Sequence, residues 1–494
     1  MTLNYYLAID QGTHASRACL FDQGGNLVSE QVKEIKLHRI SHSHIEQDAE
    51  EILSSVMEVV KEVIDNLKDN LNGEADEQLA IKACGIATQR SSVLAWRKDG
   101  TALSSVLSWQ DTRGADQLKT LKPAESEIQR LSGLPLSAHY GASKMHYLLN
   151  SEACSDIPVD ELRLSPLVSY LLFHLLDEHP YIVDHTNAQR TQLFDLNDLS
   201  WSPRLSRLFQ VPNNTLPACV PVLSTKSSPH GTLLDTSIPV TSICGDQNAA
   251  IFGAGAFSSD SALVNFGSGA FILSLLKNYR ESKKLLNTIA FSEHNEVLYA
   301  REGTVNGAGS ALDWLEDRHD ISNIWQQLPA WLDEIKRPLV FINTIGGLGS
   351  PWWNRDIDAE FITTAVRADN DIQHNSIPEL PMQAVAVIES IVFLICNNLE
   401  IIQSEQVISV LRVSGGLSRL DGLCQKLADL SGLAVKRVDI KETTARGTAW
   451  LAADKPKHWP DTTFETFSPV DTDFLEQRYA LFNKRLNELL NENT

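Results

Sequence analysis

The stretch LAIDQGTHASRACLFD, residues 7–22, decides the fold of this chain. An apolar run ends at Asp10, a short turn carries Gly12 and Thr13, and a second apolar run follows Arg17. This order predicts two antiparallel strands joined by a turn. Glycine lets the backbone approach a ligand closely, and the hydroxyl and guanidinium groups can donate to a phosphate. Asp10 at the strand end can bind a divalent cation. From this segment alone, an ordinary β-hairpin is an equal alternative.

Composition limits the partners that the chain can have. With 494 residues, 43% hydrophobic and 21% charged, it is long enough for two or three globular domains. The net charge of −21 argues against a nucleic acid or an anionic membrane as partner. A phosphorylated ligand is still allowed, because a local glycine and arginine pocket can work inside a negative global field.

The cysteines and the apolar segments predict a cytoplasmic protein. The seven cysteines are scattered and form no C-x-x-C pair, so we expect reduced thiols rather than disulfides or a zinc site. The start of the chain lacks the basic and apolar regions of a signal peptide. The most apolar span, 384–402, is interrupted by Glu389 and Asn397, which predicts a buried helix and not a membrane span.

The first half of the chain has the order of an α/β domain with a mixed sheet. Strands are predicted at 27–35, 80–87 and 93–96. Between the first two, Asp48 followed by Glu51 forms a capping-box pattern before a long amphipathic helix. The chain therefore runs strand, turn, strand, strand, helix, strand, strand.

A similar pattern recurs in the second half. A strand at 261–265 turns through Gly267-Ser268-Gly269 into a second strand at 271–276, and a buried helix precedes the strand 410–413. We therefore expect an internally duplicated α/β protein with a boundary near 253–261, hence domains 1–252 and 253–494. The polar segment 368–381 is predicted to be a surface loop.

Asp246 lies at the predicted end of another apolar strand, followed by small residues. An aspartate there can simply cap a helix. It can also orient a hydroxyl nucleophile and accept its proton, beside the predicted domain boundary where a cleft would close around a substrate. Glycine turns after three predicted strands favour this second reading, because together they are suited to hold the phosphates of a nucleotide.

With these motifs the chain resembles a known family, the FGGY carbohydrate kinases, and within that family it resembles the glycerol kinases most. The matching motifs occur in family order along almost the whole chain. They are Asp10-Gln11-Gly12-Thr13 with Arg17, Ile45-Glu46-Gln47-Asp48, Gln89-Arg90, Trp109-Gln110-Asp111-Thr112-Arg113, Gly245-Asp246-Gln247, Gly267-Ser268-Gly269, Gly307-Ala308-Gly309-Ser310, Gly347-Leu348-Gly349-Ser350-Pro351-Trp352-Trp353 and Ser414-Gly415-Gly416. The resemblance implies an α/β, duplicated actin/hexokinase-like (ribonuclease H-like) fold with mixed sheets and an interdomain cleft.

The resemblance also implies a reaction and roles for particular residues. The reaction would be ATP-dependent phosphorylation of a small polyol or sugar, with Asp246 as general base and Asp10 as a ligand of Mg²⁺. The acceptor-binding residues would be Arg90, Ser91, Trp109, His139, Tyr140 and Gln247. The nucleotide-binding residues would be Gly12, Thr13, His14, Arg17, Gly267, Ser268, Gly309, Asp313, Gly416 and Leu420.

Several of these positions depart from the glycerol kinase pattern. Ser91 stands where those enzymes have a substrate-binding glutamate, and His139 and Tyr140 stand where they have a tyrosine and a phenylalanine. A carboxylate that accepts two hydrogen bonds cannot be replaced by a short hydroxyl without changing which acceptor fits, and the serine leaves more room, so we expect an acceptor larger than glycerol. On the nucleotide side, Asp313 replaces a frequent glutamine, and Leu420 replaces an asparagine near the adenine.

Two alternatives stay open beside the kinase. One is an actin- or chaperone-like ATP-binding switch that transfers phosphate only to water, since one fold can serve both functions. The other is a relative with weakened catalysis. Arg90, Trp109 and Gln247 favour the kinase, because a switch has no need for residues that bind a polyol. A small polyol or sugar is the expected partner, and a homodimer is left open.

Overall fold

The computed structural model describes residues 3–69, 79–225, 227–255, 258–354, 356–362, 379–438, 442–457, 459, 464–470 and 473–492. The strands of these residues are β1 (Leu3–Gln11), β2 (Ala15–Asp22), β3 (Leu27–Glu34), β4 (His38–Arg39), β5 (Ile45–Gln47), β6 (Leu79–Thr88), β7 (Val93–Arg97), β8 (Val106–Leu107), β9 (Leu162–Pro166), β10 (Ile182–Asp184), β11 (Phe194–Asp195), β12 (Ser200–Trp201), β13 (Ala218–Val220), β14 (Gly231–Thr232), β15 (Pro239–Gly245), β16 (Ser261–Phe266), β17 (Ala270–Leu275), β18 (Leu286–Glu293), β19 (Glu296–Val305), β20 (Val340–Ile342), β21 (Glu360–Ile362), β22 (Val410–Ser414), β23 (Ala434–Val438) and β24 (Phe464–Phe467).

The α-helices of the same residues are α1 (Ala49–Asp69), α2 (Ala115–Leu121), α3 (Glu125–Ser132), α4 (Gly141–Leu149), α5 (Leu167–Leu175), α6 (His185–Gln189), α7 (Pro203–Phe209), α8 (Asp246–Gly253), α9 (Gly309–His319), α10 (Ile324–Glu334), α11 (Glu379–Glu405), α12 (Asp421–Ser431), α13 (Thr443–Ala452) and α14 (Asp473–Glu492).

The chain forms two compact units. Unit 1 contains residues 1–255, 287–299 and 441–461, and unit 2 contains residues 256–286, 300–440 and 462–494. The chain passes from unit 1 to unit 2 at 255/256 and returns to unit 1 twice, first with the tip of the hairpin formed by β18 and β19. The sequence division into 1–252 and 253–494 does not contain these two returns and stays a prediction about sequence domains.

The opening stretch forms the predicted hairpin at the centre of unit 1. Strands β1 and β2 pair antiparallel, and Asp10 lies opposite Arg17. Strand β1 also pairs parallel with β6, and the whole sheet has the order β14-β15-β6-β1-β2-β3. At the two edges of the sheet, β3 pairs antiparallel with β2 and β14 pairs antiparallel with β15. Strand β15 pairs parallel with β6.

A second large sheet has seven strands in the order β18-β19-β17-β16-β22-β23-β24. Its six strands from β19 to β24 repeat the pattern of the first sheet, and β18 is an additional edge strand. Strand β16 pairs antiparallel with β17 and parallel with β22, as β1 does with β2 and β6. Strand β22 pairs parallel with β23, and the outer strands β19 and β24 pair antiparallel. The two sheets therefore share strand order and strand directions, as the internal duplication expected from the sequence requires.

Unit 1 has a second, antiparallel sheet with the order β4-β5-β8-β7-β9. Its apolar face packs with α4 and α7 in a separate core that includes Val93, Leu107, Met145, Leu164 and Phe209. This sheet carries two of the segments that matter below. The chain between β6 and β7 contains Arg90 and Ser91, and the chain after β8 contains Trp109.

Helices α8 and α13 of unit 1 cross at a pair of glycines. A Cβ atom on Gly253 would lie 1.7 Å from the backbone oxygen of Thr443, and one on Gly447 would lie 1.9 Å from that of Ala249. Glycine is required at both positions because backbone atoms occupy the space of a side chain. Beside the crossing, the rings of Phe252 and Trp450 stack with centroids 5.6 Å apart.

The apolar segment near residue 390 is the core helix of unit 2. Helix α11 is long and apolar enough to cross a membrane by length and composition, but 83% of its most apolar window is buried inside the protein. Its one buried carboxylate, Glu389, is paired with Arg478 of α14 at 2.6 Å and with Lys426 of α12 at 2.8 Å. These ion pairs tie three helices around one core, as a buried charge requires.

Two local predictions differ from the structure in detail. Asp48 caps α1 by accepting from the amides of Glu50 and Glu51 at 2.8 and 2.9 Å, as predicted. The Glu51 carboxylate, however, accepts from the amide of Lys36 at 3.4 Å, so its bond connects the helix to the segment after β3. Of the predicted loop 368–381, residues 368–378 lie outside the described residues, and residues 379–381 already belong to α11.

Candidate active site

The turn of the opening hairpin is tight and fixed from outside. The Gly12 amide donates to the carbonyl of Ala15 at 2.9 Å, which closes the turn. The indole Nε1 of Trp109 donates to Thr13 Oγ1 at 2.9 Å. The His14 side chain is exposed, and its carbonyl accepts from the amide of Ile35 at 3.0 Å. The predicted phosphate loop therefore shares a hydrogen bond with a predicted acceptor-binding residue.

A chain of buried amide side chains lies beneath this turn. Gln89 Nε2 donates to Gln11 Oε1 at 3.1 Å and to Gln47 Oε1 at 3.0 Å. Gln89 Oε1 accepts from Ser92 Oγ at 2.8 Å, and Ser92 Oγ in turn accepts from the amide of Trp109 at 3.0 Å. Satisfied buried networks of this kind hold their members in one arrangement. This network therefore fixes the turn and Trp109 relative to each other.

Carboxylates gather at the end of β1. Asp10 is 6% exposed, and its pKa is raised to about 7 by burial first, and then by the nearby charges of Asp246 and Glu442, with Arg17 opposing. Arg17 Nε lies 3.5 Å from Glu442 Oε2 and 3.8 Å from Glu30 Oε1. Sequence reasoning missed Glu442, which lies before α13 and more than 400 residues from Asp10 in the chain. Only the return of residues 441–461 to unit 1 brings it here.

This excess of negative charge fits a divalent cation whose remaining coordination positions are filled by a bound ligand. Among the described residues, no group of three or more His, Cys, Asp or Glu side chains could hold a metal ion by itself. Mg²⁺ in phosphate-binding sites is typically held by one or two carboxylates, with phosphate oxygens and waters as the other ligands. The raised pKa of Asp10 shows that the site disfavours its own uncompensated charge.

Asp246 begins α8, where β15 ends, as predicted. Its Oδ1 accepts from the amide of Gln247 at 2.7 Å and lies 3.7 Å from Arg90 Nε. The Asp246 side chain is 25% exposed, while that of Arg90 is 8% exposed. Arg90 is held in turn by Asn248, whose Oδ1 accepts from its Nη1 at 3.2 Å. The carboxylate is thus accessible but oriented, as a base that accepts a proton from a bound hydroxyl should be.

The strand end that carries Asp246 is anchored from below. The Gly245 amide donates to Thr186 Oγ1 at 2.8 Å. Thr186 Oγ1 donates to the buried carboxylate of Asp184, which also accepts from Asn187 Nδ2 at 2.7 Å. Burial raises the pKa of Asp184, and these hydrogen bonds oppose the rise. Sequence reasoning missed this anchor, because an Asp-His-Thr-Asn segment looks like any other helix cap.

Two buried polar atoms beside Asp246 and Arg90 lack hydrogen-bond partners within the described residues. One is Ser91 Oγ, on a residue that is 3% exposed and has a left-handed φ of +66°. The other is Gln247 Oε1, on the residue after Asp246. A buried polar atom without a partner is costly, and a bound ligand with hydroxyl groups would remove that cost. Left-handed backbone on a residue with a side chain is a further cost, of the kind found at functional sites.

Aromatic rings complete this side of unit 1. The ring centroids of Trp109 and His139 are 5.6 Å apart, and those of His139 and Tyr140 are 5.0 Å apart, both edge to face. Tyr140 is buried and immediately precedes α4. Rings in this arrangement can cover the apolar face of a polyol or sugar while their polar edges bind hydroxyls. The structure therefore brings all the acceptor-binding residues predicted from the sequence into unit 1.

The glycine turn of unit 2 is built from backbone atoms. The Gly267 amide donates to Gly269 O at 2.8 Å, and the Gly309 amide donates to Gly267 O at 3.0 Å. Ser268 O accepts from the amides of Ala308 and Ser310 at 2.9 and 3.0 Å. The turn after β16 is thus joined to the start of α9, and Gly267 and Ser268 are exposed.

The remaining predicted nucleotide residues of unit 2 differ in exposure. Gly415 has a φ of +89°, and a Cβ there would lie 2.3 Å from Phe266 O, whereas a Cβ on Gly416 would meet nothing within 4 Å. Asp313 is exposed on α9, and partial burial and the neighbouring acids raise its pKa. Leu420 is 7% exposed and belongs to the core of unit 2, so its side chain is packed rather than presented. Its place near an adenine stays a prediction.

Each unit therefore carries glycine turns suited to phosphate, and unit 1 adds an oriented carboxylate and buried polar atoms that lack partners among the described residues. This combination defines a nucleotide-dependent phosphotransferase with an alcohol group as acceptor.

Comparison with known proteins identifies the family. The model of the FGGY family of carbohydrate kinases, N-terminal domain, matches residues 5–253, and that of its C-terminal domain matches residues 262–454. The chain belongs to the FGGY family of carbohydrate kinases, and it is an ATP-dependent sugar or polyol kinase.

Individual relatives agree with this assignment. The glycerol kinase of Natranaerobius thermophilus is 30% identical over 511 residues, covering 99% of this chain and 98% of that protein. The glycerol kinase of Thermococcus kodakarensis is 31% identical, covering 93% of this chain and 90% of that protein. Plasmodium falciparum glycerol kinase with ADP has the same fold, with a TM-score of 0.86 at 24% identity and 99% coverage of both chains. A ligand-bound xylulose kinase from Lactobacillus acidophilus has the fold too, with a TM-score of 0.81 at 19% identity, covering 99% of this chain and 98% of that one.

Proposed function

We propose that this kinase transfers the γ-phosphoryl group of ATP, with Mg²⁺, to a cytoplasmic polyol or sugar larger than glycerol. The observation that carries the proposal is the buried hydroxyl of Ser91, next to Arg90 in the chain, which has no hydrogen-bond partner among the residues that the structure describes. A serine offers one oxygen and a short reach where the family glutamate offers two carboxylate oxygens, and its smaller volume leaves room for a longer acceptor.

Asp246 is proposed as the general base. It accepts the proton of the acceptor hydroxyl as that oxygen bonds to the γ-phosphorus and the bond to the β,γ-bridging oxygen breaks, releasing ADP. Arg90 and the Gln247 amide keep the Asp246 carboxylate in place, at 3.7 and 2.7 Å. Most of the rate gain in such a reaction comes from positioning and electrostatics, which rigid side chains provide.

The acceptor is proposed to lie against Arg90, Ser91, Trp109, His139, Tyr140 and Gln247. Its hydroxyls would donate to Gln247 Oε1 and pair with Ser91 Oγ, two of the buried atoms that lack hydrogen-bond partners in the described part of the chain. A polyol or sugar with several hydroxyl groups would give both atoms hydrogen-bond partners, whereas without it each atom would stay unpaired in a buried site.

The nucleotide is proposed to be held by the glycine turns. Gly12, Thr13, His14 and Arg17 would approach its phosphates in unit 1, and Gly267, Ser268, Gly309, Asp313, Gly416 and Leu420 would contact it in unit 2. Asp10, with Asp246 nearby, would hold Mg²⁺, which when bound supplies positive charge to the phosphate oxygens. The seven cysteines, all reduced, support the proposed cytoplasmic location.

The test is an acceptor screen with the purified protein and MgATP. Glycerol, erythritol, ribitol, ribulose and xylulose are compared by ADP release above the rate without acceptor, and the Asp246→Ala variant provides the catalytic control. We expect a four- or five-carbon acceptor to have a higher kcat/KM than glycerol, and Ser91→Glu to shift the preference toward glycerol.

The outcomes separate the alternatives. Release that no acceptor stimulates would favour the ATP-binding switch, and ATP binding without any release would favour the weakened relative. If glycerol is the best acceptor of the wild type, the kinase stands and the inference from Ser91 is wrong.

A further inference from the structure

Lys144 of α4 is fully buried, with a relative exposure of 0%. Its Nζ donates to the carbonyl oxygen of Ser108 at 3.0 Å and to that of His139 at 2.8 Å. Ser108 directly precedes Trp109, and His139 directly precedes Tyr140. One ammonium group therefore joins the two chain segments that carry the aromatic residues of the proposed acceptor pocket.

This arrangement is costly for a residue that only fills space. A buried lysine is normally paired with a carboxylate. The nearest candidate, the buried Asp111, is already engaged by Arg113 Nη2 at 2.7 Å and by the amide of Ile45 at 2.7 Å. Burial lowers the pKa of Lys144 to about 7, with Asp111 opposing and Arg113 adding to the fall. A neutral amine still has two N–H donors, one for each carbonyl.

The bonds of Lys144 cross between elements that are distant in sequence. Ser108 follows β8 of the antiparallel sheet, whereas His139 precedes α4. Because both acceptors are backbone atoms, the cross-link fixes the paths of the two segments rather than one side chain. The separation of the Trp109 and His139 rings, 5.6 Å, depends on those two paths.

We propose that Lys144 is a positioning residue that sets the width of the acceptor pocket and thereby the acceptor preference. This inference rests on the proposed function, since it assigns Trp109 and His139 to the acceptor. Loss of the cross-link should weaken acceptor binding and discrimination between acceptors, because misplacement by a fraction of an ångström is enough to cost affinity and rate. ATP affinity should change little, because most of its proposed contacts lie in unit 2.

The test compares three variants of the full chain. Lys144→Met keeps the volume and removes the donors, and Lys144→Gln restores two N–H donors on a shorter side chain. Leu148→Ala is the matched control, because Leu148 is 3% exposed on the same helix and packs in the core of the antiparallel sheet. Melting temperatures are recorded with KM for the best acceptor, KM for ATP, and the kcat/KM ratio of that acceptor to glycerol.

We expect Lys144→Met to raise the acceptor KM about tenfold, with KM for ATP within about twofold of the wild type. Lys144→Gln should recover part of the loss, and Leu148→Ala should lower the melting temperature without changing either KM. Unchanged acceptor KM and preference in folded Lys144→Met would overturn the inference. If KM for the acceptor and KM for ATP rose together in Lys144→Met and in Leu148→Ala alike, Lys144 would have only a structural role. That result would also overturn the inference.

A second readout needs no acceptor, so it keeps the inference separate from the proposed function. The emission spectrum of Trp109, taken as the difference between each protein and its Trp109→Phe variant, reports how its indole packs beside the His139 ring, whose centroid is 5.6 Å away. We expect Leu148→Ala to keep the wild-type spectrum and Lys144→Met to shift it. If the wild type phosphorylates no acceptor, the proposed function fails, and this spectrum alone decides whether Lys144 holds the two rings together. An unchanged spectrum in Lys144→Met would overturn the inference.

Discussion

The proposed acceptor side of unit 1 and the glycine turns of unit 2 are built in opposite ways. In unit 1, side chains do the positioning: Gln89 joins Gln11 to Gln47, Thr186 holds the Gly245 amide, and Lys144 joins two loops. In unit 2, backbone amides and carbonyls do the positioning, because hydrogen bonds from the start of α9 hold the turn after β16. Selectivity for a particular acceptor needs particular side chains, whereas a phosphate is bound by any suitably placed amide.

This contrast predicts different sensitivities. The proposed acceptor side of unit 1 should be damaged by removing a functional group from a side chain, and the glycine turns of unit 2 should be damaged by adding a methyl group to a glycine. The four predictions below test it, from the largest expected effect to the smallest.

Asp246→Asn should lower kcat by about a thousandfold, within the range known for the loss of a general base. An amide cannot accept the proton of the acceptor hydroxyl, although it keeps the size of the side chain. The measurement is steady-state ADP release with the best acceptor. Asp160→Asn, at an exposed acid of unit 1, is the control and should retain wild-type kcat. A loss below about tenfold would contradict the assignment of Asp246 as general base.

Gly415→Ala should lower the free energy of unfolding of unit 2 by about 4 kcal/mol, the range typical of backbone strain combined with a clash. Its φ is +89°, and the new Cβ would lie 2.3 Å from Phe266 O. Urea unfolding followed by circular dichroism measures the change. Gly416→Ala is the matched control, because its Cβ would enter open space. It should unfold as the wild type does while raising KM for ATP, and an unchanged KM would place the nucleotide elsewhere.

Asp10→Asn should raise the free energy of unfolding at pH 8 without divalent cations, on the order of 2 kcal/mol, and abolish phosphoryl transfer. The pKa of Asp10 in the folded chain, about 7, lies above its ordinary value of 3.8. Between pH 3.8 and about pH 7 the folded chain therefore keeps a proton on Asp10 that the unfolded chain has lost. The wild type should therefore lose stability as the pH rises from about 4 to about 7, and the advantage of the variant should vanish near pH 4.

Thermal melts in EDTA at several pH values measure this effect of Asp10→Asn. Glu34→Gln, at an exposed acid of β3, should show no such pH-dependent gain. A gain that stays constant from pH 4 to pH 8 would show that the burial of the Asp10 charge, with the repulsion from Asp246 and Glu442, is not its source.

Ser91→Gly should raise the free energy of unfolding by about 0.5–1 kcal/mol, because glycine adopts a left-handed φ without strain. It should also weaken transfer to the preferred acceptor, since the Ser91 hydroxyl is lost. Asp235→Gly is the control, with a φ of +58° in an exposed loop of unit 1, and it should gain stability without changing the acceptor KM. Destabilisation by Ser91→Gly would mean that its hydroxyl is satisfied in the folded chain.

Local patterns allowed much of the fold to be predicted. The hairpin of β1 and β2, the Asp48 cap of α1 and the strand end at Asp246 all follow from short-range periodicity and capping. The duplication was visible because each half begins with the same strand-turn-strand order. The identity of the family came from the order of motifs, not from any single one.

What the sequence did not reveal depends on long-range contacts. Glu442 reaches Asp10 only because residues 441–461 return to unit 1, and nothing in the local pattern of that segment indicates it. Lys144 looks like an ordinary polar residue of α4 until its two carbonyl partners are known. Leu420 was assigned by its position in a motif, whereas its side chain packs in the core of unit 2.

The late return of residues 441–461 to unit 1 also has a consequence for biosynthesis. Trp459 stacks on Phe21 with centroids 6.2 Å apart, and Ala445 and Ala449 of α13 pack against Ala8 and Cys19 of the opening hairpin. A ribosome makes the hairpin more than 400 residues before its cover, so these apolar residues stay without that cover while the intervening chain is synthesised. The nascent chain should therefore be a client for chaperones until the segment after residue 440 has emerged.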